Sequence, residues 1–140
     1  IDFRSFESLT VKNVHVLGDS TLTNFPKSGS VANNTAKMAA SAIVEIFNGR
    51  EPDAAPVVTN TCYSATGMGT AFHVATVFRY QAAKKADDGK VTPASMVAQK
   101  GGGVSKEESE LEFAYMDAWA KNVWADTLGL PENFNFTVKG

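Results

Sequence analysis

Apolar and polar positions along the chain divide it into a few readable stretches. Val14-His15-Val16-Leu17 is apolar and β-prone and stops at Gly18-Asp19, which predicts a buried strand inside a sheet. From Ser28 to Phe47 the apolar residues Val31, Ala39, Ala42, Ile43, Ile46 and Phe47 recur at helical spacing, and Asn48-Gly49 supplies a stop, so a helix is predicted there. Pro52 and Pro56 bracket a linker, after which Val57 to Thr59 is expected to extend briefly before a turn at Cys62. Phe72 to Tyr80 alternates, with Phe72, Val74, Thr76, Phe78 and Tyr80 on one side, and predicts a strand with one buried face. Gln81 to Gly103 holds an Ala-Lys-Lys-Ala-Asp-Asp-Gly run, Pro93 and three successive glycines; it predicts mostly loop, with a short helical turn near Ala94 to Val97. Ser105 with Glu108 reads as a capping box opening a helix from about Lys106 to Leu128. The apolar residues of that helix cover more than one face, so it is expected to be largely enclosed, ending at Gly129 and Pro131. Two long helices with intervening strands make the expected fold class α+β.

Composition narrows the function classes. The chain has 140 residues, 44% of them hydrophobic, and a net charge of −2, enough to bury a core. No Lys/Arg run is interleaved with aromatics, so nucleic acid is not an expected partner. No apolar stretch reaches the roughly 20 residues needed for a bilayer span, and Ile1-Asp2-Phe3-Arg4 reads as a processed or excised end. The single Cys62 is either an inert buried thiol or a reactive one whose partner lies elsewhere.

Candidate chemistry gathers at three places. An Asp at the C-terminal end of a buried parallel strand suits a hydrogen bond to a ribitol hydroxyl, and Gly18 lets a ligand approach the backbone; the plain alternative for Gly18-Asp19 is a strand-end turn. A helix starting near Ser28 presents unpaired amides and positive dipole character, with Lys27 beside it, where the pyrimidine edge of a reduced flavin would be favoured. Cys62 is flanked by Thr61 and Tyr63 rather than by aliphatic residues. The triple glycine at 101 to 103 lacks the preceding strand and following Gly-Lys-Ser/Thr of a phosphate loop. His15 and His73 are expected to be structural, the glutamates at 107, 108, 110 and 112 to compensate a helix dipole, and no metal site is assigned.

Val-His-Val-Leu-Gly-Asp, Pro26-Lys27-Ser28-Gly29, the Ala-rich helix with Ala36-Lys37, Asn60-Thr61-Cys62-Tyr63-Ser64 and the late Trp-bearing helix together resemble the C-terminal third of the flavocytochrome c sulfide dehydrogenase flavoproteins, from about Asp2 to Gly129. Gly-Asp is common to the glutathione-reductase-like class, and Pro-Lys-Ser-Gly is similar to sulfide:quinone reductases and type II NADH dehydrogenases as well; the Asn-Thr-Cys-Tyr-Ser block is more specific. The resemblance implies a C-terminal fragment of a glutathione-reductase-like flavoprotein: residues 1–50 as the terminal strand and helix of the FAD-binding domain, and residues 51–140 as a small α/β C-terminal flavin-binding domain. It implies FAD as cofactor, sulfide as substrate, a c-type cytochrome subunit as partner and a periplasmic location. Cys62 would be the second cysteine of a redox disulfide that sulfide attacks beside the flavin. Gly18 and Asp19 would meet the ribitol, Lys27, Ser28, Gly29 and Thr61 the flavin, and Trp119 would pack near it, with simple core packing the equal alternative for Trp119.

Departures from that pattern are equally specific. The disulfide partner, the Gly-rich dinucleotide fingerprint and the cysteine that tethers FAD in family members have no counterpart among these residues, so the chain alone is expected to be inactive and without FAD. Ser30 stands where some relatives carry an aromatic, so an electron route through that position is not expected. No Cys-x-x-Cys-His is present, so a haem would sit on the partner. The stretch Asn133 to Val138 is too short and too polar for the membrane-binding helix of a quinone-reducing relative, which favours the cytochrome acceptor. A fragment of a sulfide:quinone reductase or NADH dehydrogenase-like protein, or a non-enzymatic interaction domain with Cys62 a bystander, are the alternatives. Self-association through the unpaired Val14 to Leu17 strand is a further expectation.

Overall fold

A computed structural model describes residues 1 to 131 of the chain. The tail stretch Asn133 to Val138 weighed above lies outside the described residues. The fold is α+β, as expected: helix α1 (Gly29–Phe47), a long hairpin of β1 (Val57–Gly67) and β2 (Thr70–Gln81), four short strands β3 (Lys84–Lys85), β4 (Val91–Thr92), β5 (Ser95–Ala98) and β6 (Gly103–Val104), and helix α2 (Glu110–Leu128). No helix among the described residues is long and apolar enough to cross a membrane. Two compact units are present: Ile1–Cys62 with Val74–Gly103, and Tyr63–His73 with the segment from Val104.

In the first unit α1 forms where its periodicity predicts. Ser28, in extended geometry, accepts a hydrogen bond from the Val31 amide at 3.2 Å and so satisfies one of the orphan donors of the first turn. Val31, Thr35, Ala39 and Ala42 recur every three or four residues and are the buried stripe. Thr35 turns its hydroxyl back to the Val31 carbonyl at 2.8 Å, so a polar residue sits in the stripe without an unpaired group. The stripe joins a core of Phe6, Phe25, Val58, Phe78 and Met96, in which Phe25 meets Phe78 edge to face at a centroid distance of 5.1 Å. Each such large side chain contributes about 1.5–3 kcal/mol by leaving water.

The expected Val14 to Leu17 strand is not a member of any sheet. It pairs only with the chain's own start: Ser8 donates to the Val14 carbonyl at 2.7 Å and Val16 to the Phe6 carbonyl at 2.9 Å, around a single Glu7–His15 bridge. Two left-handed residues, Phe6 at φ 60° and Asn13 at φ 62°, bound this short pairing. Phe6 adopts that costly backbone while its ring is 1% exposed, so core burial holds it there. The segment is therefore not a sheet strand, and one of its edges is taken by residues 6 to 8.

The main sheet has the order β1-β2-β5, with β6 also on β2. Cys62 lies inside β1 and not at a turn; the segment contains no Gly or Pro until Gly67, and the reversal comes at Met68-Gly69, where Gly69 takes φ 94°. The helical turn expected near Ala94 to Val97 is instead β5, antiparallel to β2 with Met96 opposite Tyr80 and Ala98 opposite Phe78. Burial of Met96 to 1% exposure on that face outweighs its helix propensity. Beyond Gln81–Ser95, β3 and β4 pair Lys84 with Thr92 and Lys85 with Val91, which continues the β2–β5 register past the sheet. The stretch read as mostly loop is thus largely a two-stranded ribbon.

In the second unit, α2 starts at Glu110, with Ser109 and not Ser105 as its cap: Ser109 Oγ accepts from the Glu112 amide at 3.2 Å. The Ser105–Glu108 box does not form because Ser105 is spent on β2, pairing its amide with the His73 carbonyl at 2.9 Å and accepting from the His73 amide at its hydroxyl. Ser109 exchanges both backbone hydrogen bonds with Ala71, which fixes the helix start on the strand. Gly129, left-handed at φ 63°, ends the helix. The enclosed helix expected from sequence is not found. None of its residues is buried, and Leu111, Tyr115 and Leu128 are at least half exposed.

Candidate functional site

The N-terminal end of α1 is built onto β1 by a small polar cluster. Ser28 Oγ, while capping the helix, donates to Asn60 Oδ1 at 2.6 Å, and Cys62 Sγ donates to the same oxygen at 3.4 Å. Ser30 Oγ accepts from the Thr61 amide at 3.1 Å, and Asn34 Oδ1 accepts from the Thr59 amide at 3.1 Å. Ser30 and Asn34 of α1 therefore take the place of ladder partners for the Thr61 and Thr59 amides of β1. Asn60 is 3% exposed and its acceptor is shared, so it fixes the thiol direction relative to the helix start. Cys62 itself is half-buried.

The Gly18–Ser20 segment forms a 3-10 turn against the first turn of α1. Gly18 has φ 60°, and a Cβ there would stand 3.2 Å from Cβ of Ala32, so both the backbone conformation and the packing call for glycine. Lys27 reaches across and donates to the carbonyls of Asp19 and Thr21, the latter at 2.8 Å. It is a tie for the turn and not a free charge, although an ammonium with three hydrogens keeps one for a ligand. The Asp19 side chain is exposed. Gly29 has open space around it, with nothing within 4 Å of where a Cβ would stand.

Of the residues singled out from sequence, Gly18, Asp19, Lys27, Ser28, Gly29, Thr61 and Cys62 are thus all joined to the beginning of α1. The sequence reading passed over Asn60, the acceptor at the centre of the cluster, and gave Ser30 only a negative role. A polar residue two positions before Cys62 on a strand, hence on the same face, was the available signal for Asn60.

Trp119 belongs to the second unit. There Tyr63 lies 6.0 Å from Trp119 and 5.9 Å from His73, ring centroid to centroid. His73 Nδ1 and Glu112 Oε2 are 2.6 Å apart, so Glu112 orients a ring on β2 as well as standing in the first turn of α2. Burial, reinforced by the negative charge of Glu112 and by Tyr115, pushes the Tyr63 phenol above its ordinary value.

Residues 54–128, more than half of the chain, match the family model described as flavocytochrome c sulphide dehydrogenase, flavin-binding. The match takes in Asn60, Thr61, Cys62, Tyr63, His73, Glu112 and Trp119; the Gly18–Ser20 turn and the start of α1 precede it.

Proposed function

The chain belongs to the flavin-binding family of flavocytochrome c sulphide dehydrogenase, and from that membership we propose that it forms the C-terminal part of an FAD-dependent enzyme that oxidises sulfide and passes electrons to a c-type cytochrome. Family membership makes it a flavin-binding oxidoreductase component; substrate, acceptor and a periplasmic setting are the finer reading. Residues 1–50 would close a glutathione-reductase-like FAD domain and residues 51–140 would form the domain that follows it.

The residues at the start of α1 fit the pyrimidine side of a flavin. The helix end is open at Gly29, it carries positive dipole character, and Lys27 retains a donor. The exposed Asp19 carboxylate would accept from a ribitol hydroxyl. A bound flavin supplies a two-electron acceptor that can release electrons singly. Cys62 would form a disulfide with a cysteine outside these 140 residues, since the chain has no other. Hydrosulfide attack on that disulfide places a persulfide on one sulfur and a thiolate on the other, and the thiolate is the electron donor. Asn60 and Ser28 hold the Cys62 sulfur toward the helix end where that electron transfer would occur.

The observation that carries this reading is the direct linkage of Cys62, through Asn60, to the capping residue of α1 within a chain of this family. Its test is expression from the native reading frame, with flavin absorbance followed as sulfide is added anaerobically to wild type and Cys62→Ser. Bleaching confined to the wild type, with reoxidation by a c-type cytochrome, supports the proposal. Bleaching in both removes Cys62 from the chemistry. Reoxidation by quinone alone assigns the chain to a sulfide:quinone reductase, reduction by NADH and not sulfide to an NADH dehydrogenase-like flavoprotein, and failure to retain flavin leaves the interaction-domain reading.

A further inference from the structure

The β2–β5 ribbon continues past the sheet without finding a core. Every residue from Gln81 to Pro93 is exposed, including Val91 at 60%, although the strands stay in register through Lys84–Thr92 and Lys85–Val91. A two-stranded ribbon with no covered face is marginal by itself. Its composition is also unlike the rest of the chain. Residues 79 to 104 hold five cations, Arg79, Lys84, Lys85, Lys90 and Lys100, against Asp87 and Asp88, a local net charge of +3 in a chain of net charge −2. None of the five cationic side chains has an ion-pair partner among the described residues, whereas Asp88 is used to brace the tip, accepting from the Lys90 amide at 2.9 Å.

At the root of the arm the ladder is interrupted. Gln99 still pairs with the Val77 carbonyl at 2.8 Å, but the chain then bulges through Lys100, Gly101 and Gly102 before β6 rejoins β2. Gly102 lies so close to β2 that a Cβ would stand 2.5 Å from the Ala75 carbonyl oxygen. The bulge walls a cleft of about 460 Å³ between Arg79 and Lys100.

We propose that this arm, residues 79 to 102, docks an acidic protein surface that straddles the ribbon, with carboxylates meeting Lys84 and Lys90 on one face, Lys85 on the other, and one seated in the cleft between Arg79 and Lys100. Charge complementarity selects the occupant: unpaired cations on both faces of an exposed ribbon call for a surface rich in carboxylates. Nucleic acid fits less well, because residues 81 to 93 contain no aromatic to stack on a base and the tip carries Asp87 and Asp88. A membrane surface fits less well because the exposed stretch 81 to 93 presents a single large aliphatic side chain, Val91. The inference goes beyond the redox reading and does not depend on it.

The test uses the full chain and immobilised poly-L-glutamate of about 50 residues, at about 20 mM and about 300 mM salt. A chain of net charge −2 is repelled as a whole by this polymer, so retention must come from a local surface. The expected result is binding at low salt that is lost at high salt and is weakened about ten-fold or more in K84E/K85E, with K90E intermediate. The control K12E/K106E makes the same change in net charge away from the arm and is expected to bind as wild type. All substituted positions are exposed, so folding, checked by circular dichroism, is expected to persist. No binding at low salt, or equal loss in the control, overturns the proposal. So does tighter binding to duplex DNA or to anionic vesicles, and so does salt-sensitive self-association lost in K84E/K85E, which would make a second copy the occupant.

Discussion

Ser28 and Asn60 are joined by a hydrogen bond of 2.6 Å that ties the cap of α1 to the strand bearing Cys62. The Ser28 hydroxyl oxygen accepts from Val31 while its hydrogen goes to Asn60, so one side chain serves the helix end and the sulfur-bearing strand together.

Two substitutions separate those roles. Ser28→Ala removes the cap and is expected to cost about 0.5–2 kcal/mol in urea denaturation. Asn60→Ala leaves the cap but removes the acceptor shared by Ser28 and Cys62, with an expected cost of about 1–3 kcal/mol. Only the second also frees the Cys62 thiol, so its alkylation by iodoacetamide under native conditions is expected to rise a few-fold in Asn60→Ala and to stay within about two-fold in Ser28→Ala. Equal labelling in both variants would show that the cluster does not hold the sulfur.

Met96 shows how far local pattern could go. Its segment follows Pro93 and contains Ala and Met, so a helical turn was the natural expectation, yet the side chain faces Tyr80 across β5–β2 and is 1% exposed. Met96→Ala is therefore expected to cost about 2–5 kcal/mol, the range for emptying a buried large side chain. Val91→Ala, on the exposed extension of the same ribbon, is expected to stay within about 0.5 kcal/mol. A denaturation midpoint for each variant checks the contrast.

The elements legible in the sequence were those whose pattern is local. Helix α1 was readable because Val31, Ala39 and Ala42 share a stripe, and β2 because its residues alternate, although Phe78 alone of its expected face is buried, Val74 is exposed and Ala71 on the other face is buried. Cys62 was misplaced at a turn because its polar neighbours look like loop residues; the strand forms because Ser30 and Asn34 of α1 accept from the Thr61 and Thr59 amides in place of a neighbouring strand, while Asn60 meets the Cys62 thiol. Ser105 was misread as a cap because its long-range partner, His73, lies 32 residues away. The gathering of Gly18, Lys27, Ser28 and Cys62 at one helix end could be approached only through family resemblance, since no spacing in the chain encodes it.

Gly102→Ala tests the bulge that shapes the arm's root. An added methyl would stand 2.5 Å from the Ala75 carbonyl oxygen, a backbone atom that cannot swing aside, so a loss of about 1–3 kcal/mol is expected. Gly101→Ala meets no such neighbour, but its φ of 98° strains any side chain. Amide hydrogen exchange would separate the two effects. Gly102→Ala is expected to expose the Gln99 amide, which bonds to Val77, while Gly101→Ala leaves it protected.

Tyr63 gives the fold a dependence on alkaline pH whose sign follows from its surroundings. Burial is the first cause of its raised pKa and the Glu112 charge the second, so the folded chain keeps the phenol proton after an unfolded chain, titrating near 10.0, has released it. The folded state then binds more protons than the unfolded state, and stability falls as pH rises from about 10 through the raised folded value. Below that window Tyr63 is neutral in both states and contributes no slope. Urea midpoints at about pH 9 and about pH 11 are expected to fall less in Tyr63→Phe than in wild type. Glu112→Gln removes the second cause while its amide oxygen can still accept from His73, so phenolate absorbance of the folded variant is expected to develop at lower pH than in wild type. An unchanged phenolate titration in Glu112→Gln would remove the Glu112 charge from the causes and leave burial and Tyr115.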